Sequence, residues 1–241
     1  MAGPLGCRIS RHKPHVDAKP LRALGAAMPT DVPVVVGFSW YTSFDQPRET
    51  EDGSYHLPDV SRGEDLGTIR GGHCFCFEPM GAVKVNTERE QVFYNQGEEG
   101  ACVGFGNSRA QTMKQGGMLF DAFWLYDQAR KVEGTYPSGE GSSVHAAAQV
   151  LEGIGLPEQV GEQVCTRDTG DRTPLLSNGV TAVRYLTSLE EALAALARPG
   201  AEAIPFTNSW GLAYPRTVWC PAATFARLLA ESGEAAVYTE R

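Results

Sequence analysis

The hydrophobic periodicity of this 241-residue chain changes twice, and these changes restrict the possible folds more than any other feature. Residues 32–44 (VPVVVGFSWYTSF) are β-branched and aromatic, and residues 71–79 (GGHCFCFEP) place bulky residues at alternate positions, so both predict buried strands. From residue 101 onward apolar residues recur at helical spacing, which predicts helices over 101–115, 118–134 and 139–155. Strand patterns return toward the C-terminus. The chain is therefore predicted to be α+β, with a helical middle and strand-rich flanks.

Capping residues and turn residues set the remaining boundaries. Ser142 or Ser143 is predicted to cap the third helix, and Gly155 to end it. A further capped helix is expected over residues 188–198, because two glutamates in its first turn interact favourably with the helix dipole. Toward the C-terminal end, the patterns predict a strand that runs into a turn over 201–211, a last helix over 222–233 and a closing strand over 234–240. Loops are expected over 45–67 and 157–180. Residues 1–32 are expected to form an irregular arm with a short turn of helix at 21–27.

The charge and the cysteine content argue against several classes of protein. A net charge of −8, without a Lys/Arg-rich run, is unsuited to binding a phosphate backbone. No window approaches 18 apolar residues, and the N-terminal residues lack the apolar run of a signal peptide. Six cysteines without a CxxC pair or histidine-ligand spacing support neither a disulfide scaffold nor a zinc site. We therefore expect reduced thiols, no metal or other cofactor, no nucleic-acid or membrane partner, and a cytoplasmic location.

A glycine-rich stretch, YNQGEEGACVGFG (residues 94–106), places a glutamine six residues before a cysteine at the predicted start of a helix. The helix dipole and backbone N–H groups stabilise a thiolate at this position, and an imidazolium neighbour can lower a thiol pKa from about 8.5 to about 3–4. A side-chain amide just before the helix can join the cysteine N–H in holding an oxyanion. Gln96 and Cys102 are therefore candidates for an oxyanion donor and a nucleophile. A buried cysteine after a glycine turn is the simpler alternative.

A second motif, NSWG, follows a predicted strand near the C-terminal end. The amide of Asn208 is suited to orient a histidine, and the indole of Trp210 can shield that hydrogen bond from water. Together the two motifs resemble the papain-like cysteine peptidases, in particular the compact bacterial and phage members. The resemblance implies Gln96 as oxyanion donor, Cys102 as nucleophile and Asn208 as the orienting amide. The chain departs from the family signature at Glu99, which replaces a cysteine.

The position of the histidine does not follow the family order. In papain-like enzymes the histidine lies between the cysteine and the asparagine, at the start of a strand. Only His145 lies there in this chain, inside a predicted helix, and we expect it to be structural or at the surface. His73 follows two glycines and opens a predicted strand. We therefore interpret the chain as a rearranged, permuted-like papain fold with the order His73, Cys102, Asn208, because a triad depends on geometry and not on chain order.

Three alternatives stay open at the level of the sequence. Residues 1–93 could be an inhibitory propeptide, which would leave His145 as the only histidine available to the triad. The fold could be kept as a weakly active or inactive structural or binding module, for example in a phage particle. The same residues could also serve a deamidase or an acyltransferase in place of a peptidase.

The resemblance implies an arm over residues 1–32 and a single two-lobed domain over 33–241. The helical lobe would span about 84–160, and the β-rich lobe would combine about 33–82 with 161–241. A Cys102–His73–Asn208 triad with Gln96 would hydrolyse amide bonds of a peptide or protein substrate. Trp210, Gly116 and Gly117 are the expected substrate-binding residues, and a plain turn is the alternative for the two glycines.

Overall fold

A computed structural model describes residues 28–81, 94–158 and 172–240, except for the side chain of Glu240. The turn of helix expected at residues 21–27 lies outside these ranges. The described residues are mixed α+β and contain eight strands and five α-helices. In chain order the elements are β1 (Val34–Tyr41), β2 (Arg48–Glu49), β3 (Tyr55–His56), β4 (Ile69–Phe77), α1 (Cys102–Lys114), α2 (Ala122–Glu133), α3 (Val144–Gly153), β5 (Val180–Tyr185), α4 (Leu189–Ala195), β6 (Ala203–Thr207), β7 (Thr217–Pro221), α5 (Ala222–Ala230) and β8 (Glu234–Glu240).

The strands form one mixed sheet in the order β2-β3-β7-β6-β4-β1-β8-β5. The long strands β1 and β4 pair antiparallel in its interior, with Val34 opposite Phe77 and Ser39 opposite Gly72. Strand β8 pairs with the other edge of β1, and β6 with the other edge of β4. Strands from both flanks of the helical segment therefore complete the same sheet.

Alternation along β4 divides the interior into two cores. Phe75 and Phe77 pack on one face of the sheet with side chains of α4 and α5. Cys74 and Cys76 pack on the opposite face with α1 and α3. This division confirms the two faces that the period-2 pattern predicts for residues 73–77.

Helix α1 lies directly on β4. A Cβ added to Gly106 would stand 2.9 Å from the Sγ of Cys74 and 3.2 Å from the backbone nitrogen of Phe75. A glycine at this position therefore allows the helix and the strand to approach more closely than any larger residue would.

Helix α1 also runs in the same direction as β4. At its C-terminal end, the Nζ of Lys114 donates to the carbonyl oxygen of Tyr238, 2.6 Å away. Because β8 and β4 flank β1 and run in the same direction, Tyr238 lies level with the end of β4. Cys102 precedes Gly106 by about 6 Å along the helix axis. Cys102 therefore lies about two strand residues closer to the start of β4 than Gly106 does, about level with His73 in the middle of the strand.

Most of the element boundaries were predictable, and the capping residues are as expected. Ser143 accepts from the backbone N–H of Ala146 at the start of α3, and Ser188 caps α4 in the same way through Glu191. The two short strands β2 and β3 lie inside the segment 45–67, which was predicted to be a loop, and β7 was not predicted. Strand β5 was also not predicted, because as an edge strand it alternates poorly and most of its residues are exposed. It is held mainly by backbone pairing with β8. No helix in the described ranges has the length and apolar character needed to cross a bilayer.

Candidate active site

His73 and Asn208 meet at the junction of two neighbouring strands. Strand β6 pairs antiparallel with β4 so that Thr207 stands opposite Cys76, and Asn208 follows directly after β6. The Nε2 of His73 lies 2.5 Å from the Oδ1 of Asn208, and both residues are buried. The sheet therefore joins two of the predicted site residues across 135 positions of the chain.

The hydrogen bonds around Asn208 define the protonation of the histidine. The backbone N–H of Ser209 donates to the same Oδ1 at 2.7 Å, and because an N–H can only donate, this atom must be the amide oxygen. The Nε2 of His73 must then carry the hydrogen that it donates to this oxygen. In the neutral ring the remaining nitrogen, Nδ1, is consequently a bare acceptor.

Aromatic rings enclose this pair. The ring of Trp210 lies 4.8 Å from the imidazole of His73 and is inclined to it by 34°. Trp40 approaches the imidazole edge-on at the same centroid distance. The two indoles also contact each other at 5.1 Å. Trp210 therefore lies where a shield of the imidazole was expected, and Trp40 is a second cover that sequence reasoning did not identify.

Gln96 is fixed to the residue after Asn208. Its backbone N–H donates to the carbonyl oxygen of Ser209 at 2.8 Å, and the Oγ of Ser209 donates to its Oε1 at 2.5 Å. Its Nε2 donates to the carbonyl oxygen of Glu99 at 2.8 Å, which identifies that atom as the amide nitrogen. Ser209 therefore holds both side-chain amides of the site, that of Asn208 through its backbone N–H and that of Gln96 through its hydroxyl.

Cys102 is the first residue of α1, as predicted. The N-cap residue, Ala101, offers no side-chain acceptor, so the dipole of the helix start acts on the thiol without a competing cap. The residue is only 4% exposed. The direction of α1 puts it about level with His73 along β4.

The nitrogen of His73 that remains for a thiol is Nδ1. It is buried and has no hydrogen-bond partner in the part of the chain that the structure describes. The resemblance implied that Cys102 would face His73. The structure places the two residues at about the same level along β4.

Arg109, on the same helix, contacts Asn208 and was not predicted to be a site residue. Its side chain is buried, and its Nη1 donates to the backbone carbonyl oxygen of Asn208 at 3.0 Å. A signal was present in the sequence, because an arginine seven residues after Cys102 lies on the same face of the helix.

Two other predicted residues do not reach the site. Gly116 and Gly117 follow the last turn of α1, about 18 Å or more along the helix axis from Cys102, so the structure does not bring them to it. They have φ values of 65° and 94°, and the N–H of Gly117 donates to the carbonyl oxygen of Thr112. The geometry is that of a turn ending the helix, which was the alternative interpretation.

His145 does not contact the Asn208 site. Its Nδ1 lies 2.7 Å from the hydroxyl of Tyr185, and its Nε2 lies 3.0 Å from the amide nitrogen of Gln149. Strands β1 and β4, both within residues 1–93, lie in the interior of the sheet. Removal of those residues as a propeptide would therefore take away the centre of the sheet together with His73.

Comparison with known proteins found no match to a family model, a curated protein or a solved structure. Within the described ranges, no group of three or more His, Cys, Asp and Glu side chains is arranged to hold a metal ion. The cysteines of the described ranges, Cys74, Cys76, Cys102 and Cys220, are not in disulfide bonds. The interpretation of the site therefore rests on its geometry.

Proposed function

We propose that this protein is a cysteine hydrolase of amide bonds, with a papain-like arrangement of residues, and that its substrates are peptides or proteins. The observation that carries the proposal is the bond between the Nε2 of His73 and the Oδ1 of Asn208. It leaves Nδ1 as the acceptor nitrogen, which is the protonation that a general base for a thiol requires.

In the proposed reaction, the thiol of Cys102 gives its proton to the Nδ1 of His73. The thiolate attacks the substrate carbonyl carbon, and the amide of Gln96 and the backbone N–H of Cys102 donate to the oxyanion. The imidazolium then protonates the leaving amine as the C–N bond breaks, which leaves a thioester. His73 next takes a proton from water as the oxygen attacks the thioester carbon. The C–S bond then breaks to release the acid, and the imidazolium returns the proton to the sulfur of Cys102.

The proposal requires the thiol of Cys102 to form a hydrogen bond with the Nδ1 of His73, which has no hydrogen-bond partner among the described residues. Catalytic hydrogen bonds are often long or poorly aligned in the free enzyme and tighten in the substrate complex. The bonds of Asn208 and Gln96 to Ser209 are already made, so the bond at Nδ1 is the one that the substrate complex has to complete.

An inactive papain-like module is the second candidate, favoured by the near-complete burial of Cys102 and by the unpartnered Nδ1 of His73. A deamidase or acyltransferase would use the same residues on a different acceptor. Turnover of a fluorogenic peptide amide, compared with ammonia release from a glutamine peptide, separates these reactions.

The deciding experiment is covalent labelling by an epoxysuccinyl inhibitor, measured by intact mass. The variants are Cys102→Ala, His73→Ala and, as a matched control, His145→Ala. We expect the first two to abolish labelling and the third to label like the wild-type protein. Loss of labelling in His145→Ala with retention in His73→Ala would overturn the assignment of the base. A wild-type protein that does not label would favour the inactive module.

A further inference from the structure

Arg109 is a buried cation in the helix that carries the candidate nucleophile. Its side chain is only 4% exposed, and removing a charge from water is costly unless acceptors replace the solvent. Its Nη1 donates to the carbonyl oxygen of Asn208, and its guanidinium lies over the ring of Tyr94, 5.4 Å from the ring centroid. Such a contact between a cation and an aromatic face is favourable where water is excluded.

These contacts join the three segments that supply the site. Arg109 belongs to α1, which begins at Cys102, and Asn208 follows β6. Tyr94 opens the segment that leads to Gln96, and its hydroxyl lies 2.6 Å from the Oγ1 of Thr112 on α1. Arg109 therefore links the helix that begins at Cys102 to the segments that carry Gln96 and Asn208.

The spacing on α1 explains how the guanidinium reaches Asn208. Cys102, Gly106 and Arg109 stand at positions i, i+4 and i+7, which lie on one face of a helix. The missing side chain of Gly106 lets this face lie against β4. Arg109 can then extend past the strand to the Asn208 backbone on the neighbouring segment.

We propose that Arg109 is a positioning residue for this site, and the inference rests on the function proposed above. Its bond to the Asn208 carbonyl fixes the amide that orients His73 relative to the helix that carries Cys102. Cys102 stands seven residues before Arg109, about 10 Å along the helix axis. The buried positive charge of Arg109 also favours the anionic form of its thiol, because charges are weakly screened in a site of low polarity.

Other ionisable groups lie on the elements packed around the site. These are His73 and Cys74 on β4, Tyr94 and Glu99 on the segment before α1, Tyr126 on α2, and the Asp45–Arg70 pair that lies beside Trp40. The Arg109 variants leave all of them in place, so a change in thiol reactivity reports on Arg109.

The test measures the rate at which iodoacetamide alkylates Cys102 between pH 5 and pH 9, resolved by peptide mass spectrometry. It needs neither a substrate nor turnover. The variants are Arg109→Met and Arg109→Lys, with Arg198→Met as the matched control. Arg198 also donates to backbone carbonyl oxygens, those of Glu78 and Pro79, but at the opposite end of β4.

We expect Arg109→Met to shift the alkylation curve to higher pH and to slow labelling at pH 6 by about ten-fold, the effect of one pH unit on thiolate content. Arg109→Lys should recover part of the rate, because lysine keeps the positive charge but lacks the planar guanidinium group. Arg198→Met should follow the wild-type curve. Melting curves establish which variants are folded, and Arg109→Lys carries the test if Arg109→Met is not.

Three results would overturn the proposal. Arg109 variants that follow the wild-type curve would show that Arg109 supports the fold alone, while the proposed function would stand. An equal shift of the alkylation curve in Arg198→Met would show that the shift comes from a general loss of packing and not from Arg109. A wild-type curve like that of an ordinary thiol, with a midpoint near 8.5, would instead remove the proposed function and the role of Arg109 with it.

Discussion

The Nε2 of His73 lies 2.5 Å from the Oδ1 of Asn208, and the same oxygen accepts the backbone N–H of Ser209. One amide oxygen thus fixes the orientation of the imidazole ring and places a hydrogen on its Nε2. The bond depends on the antiparallel pairing of β4 with β6, because Asn208 directly follows the residue that stands opposite Cys76. The predictions below follow from this arrangement and from the packing around it.

Asn208→Ala should leave the imidazole of His73 without its orienting acceptor. A ring that is free to rotate presents Nδ1 to the thiol for only part of the time, and misplacement of this kind can reduce the rate by about 10²-fold. Measured kcat on a peptide amide should fall by that order. The matched control is Asn178→Ala, which removes a buried amide that donates to the carbonyl oxygen of Leu156. Equal loss of kcat in both variants would contradict the orienting role.

Ser209→Ala removes the hydroxyl that donates to the Oε1 of Gln96 and leaves the backbone bonds of Ser209 in place. A buried acceptor without a partner costs about 1–3 kcal/mol, so the free energy of unfolding in urea should fall by that amount. Because the Gln96 amide then turns more freely, kcat should fall by about ten-fold with KM little changed.

Thr224→Val is the control for Ser209→Ala. It also removes a buried hydroxyl, one that donates to the carbonyl oxygen of Pro58 away from the candidate site. We expect a similar loss of stability without the loss of kcat. A Ser209→Ala protein that is destabilised but fully active would count against Gln96 as an oxyanion donor.

Gly106→Ala should destabilise the protein despite the better helix propensity of alanine. The added Cβ would stand 2.9 Å from the Sγ of Cys74 and 3.2 Å from the Phe75 backbone, which leaves the helix no room without a shift. Overpacking of this kind costs about 1–3 kcal/mol. Chemical denaturation gives the cost, and the alkylation rate of Cys102 shows whether α1 has moved.

Gly153→Ala provides the comparison for this packing prediction. Gly153 is the last residue of α3, and a Cβ added to it would meet nothing within 4 Å. The substitution should be neutral or stabilise by up to about 1 kcal/mol. Destabilisation of both variants to the same extent would show that the close approach of α1 to β4 is not the cause.

Glu234 should make stability decrease as the pH rises above about 4.5. Burial raises the pKa of this carboxyl from its ordinary value of 4.5, against the opposing effects of the bond from the Val144 N–H and of His145. The folded state therefore binds the proton more tightly than the unfolded state. The stabilisation is complete below pH 4.5 and is lost as the pH rises through the folded pKa.

Glu234→Gln removes this titration and keeps an acceptor for Val144. Its stability relative to wild type should therefore rise with pH, as measured by urea unfolding at pH 4.5, 5.5, 6.5 and 7.5. Glu231→Gln is a control in which the pH dependence of stability should have the opposite sign. Burial raises the pKa of Glu231, but bonds from Tyr41 and Arg227 hold the net value below 4.5. A pH profile of Glu234→Gln parallel to that of wild type would contradict the prediction.

The local chemistry of the site was readable from short stretches of the chain. Gln96 and Cys102 lie in one motif, and Asn208 and Trp210 in another, because a helix start and a strand end each place their residues by local geometry. The two glycines at 116 and 117 had the same kind of local signal and lie at the far end of α1. A motif shows which chemistry a residue can perform, but not where the fold carries it.

The sequence by itself determined the periodicity of the main strands and helices, the caps at Ser143 and Ser188 and the two faces of β4, since each depends on neighbouring residues. Only the tertiary structure decided which strands become neighbours. Sheet order brings His73 to Asn208 across 135 residues, and the close packing at Gly106 lets Arg109 reach the same residue. Such contacts depend on how whole elements pack, because the free energy of burying both faces of the sheet selects the pairing and no single segment encodes it.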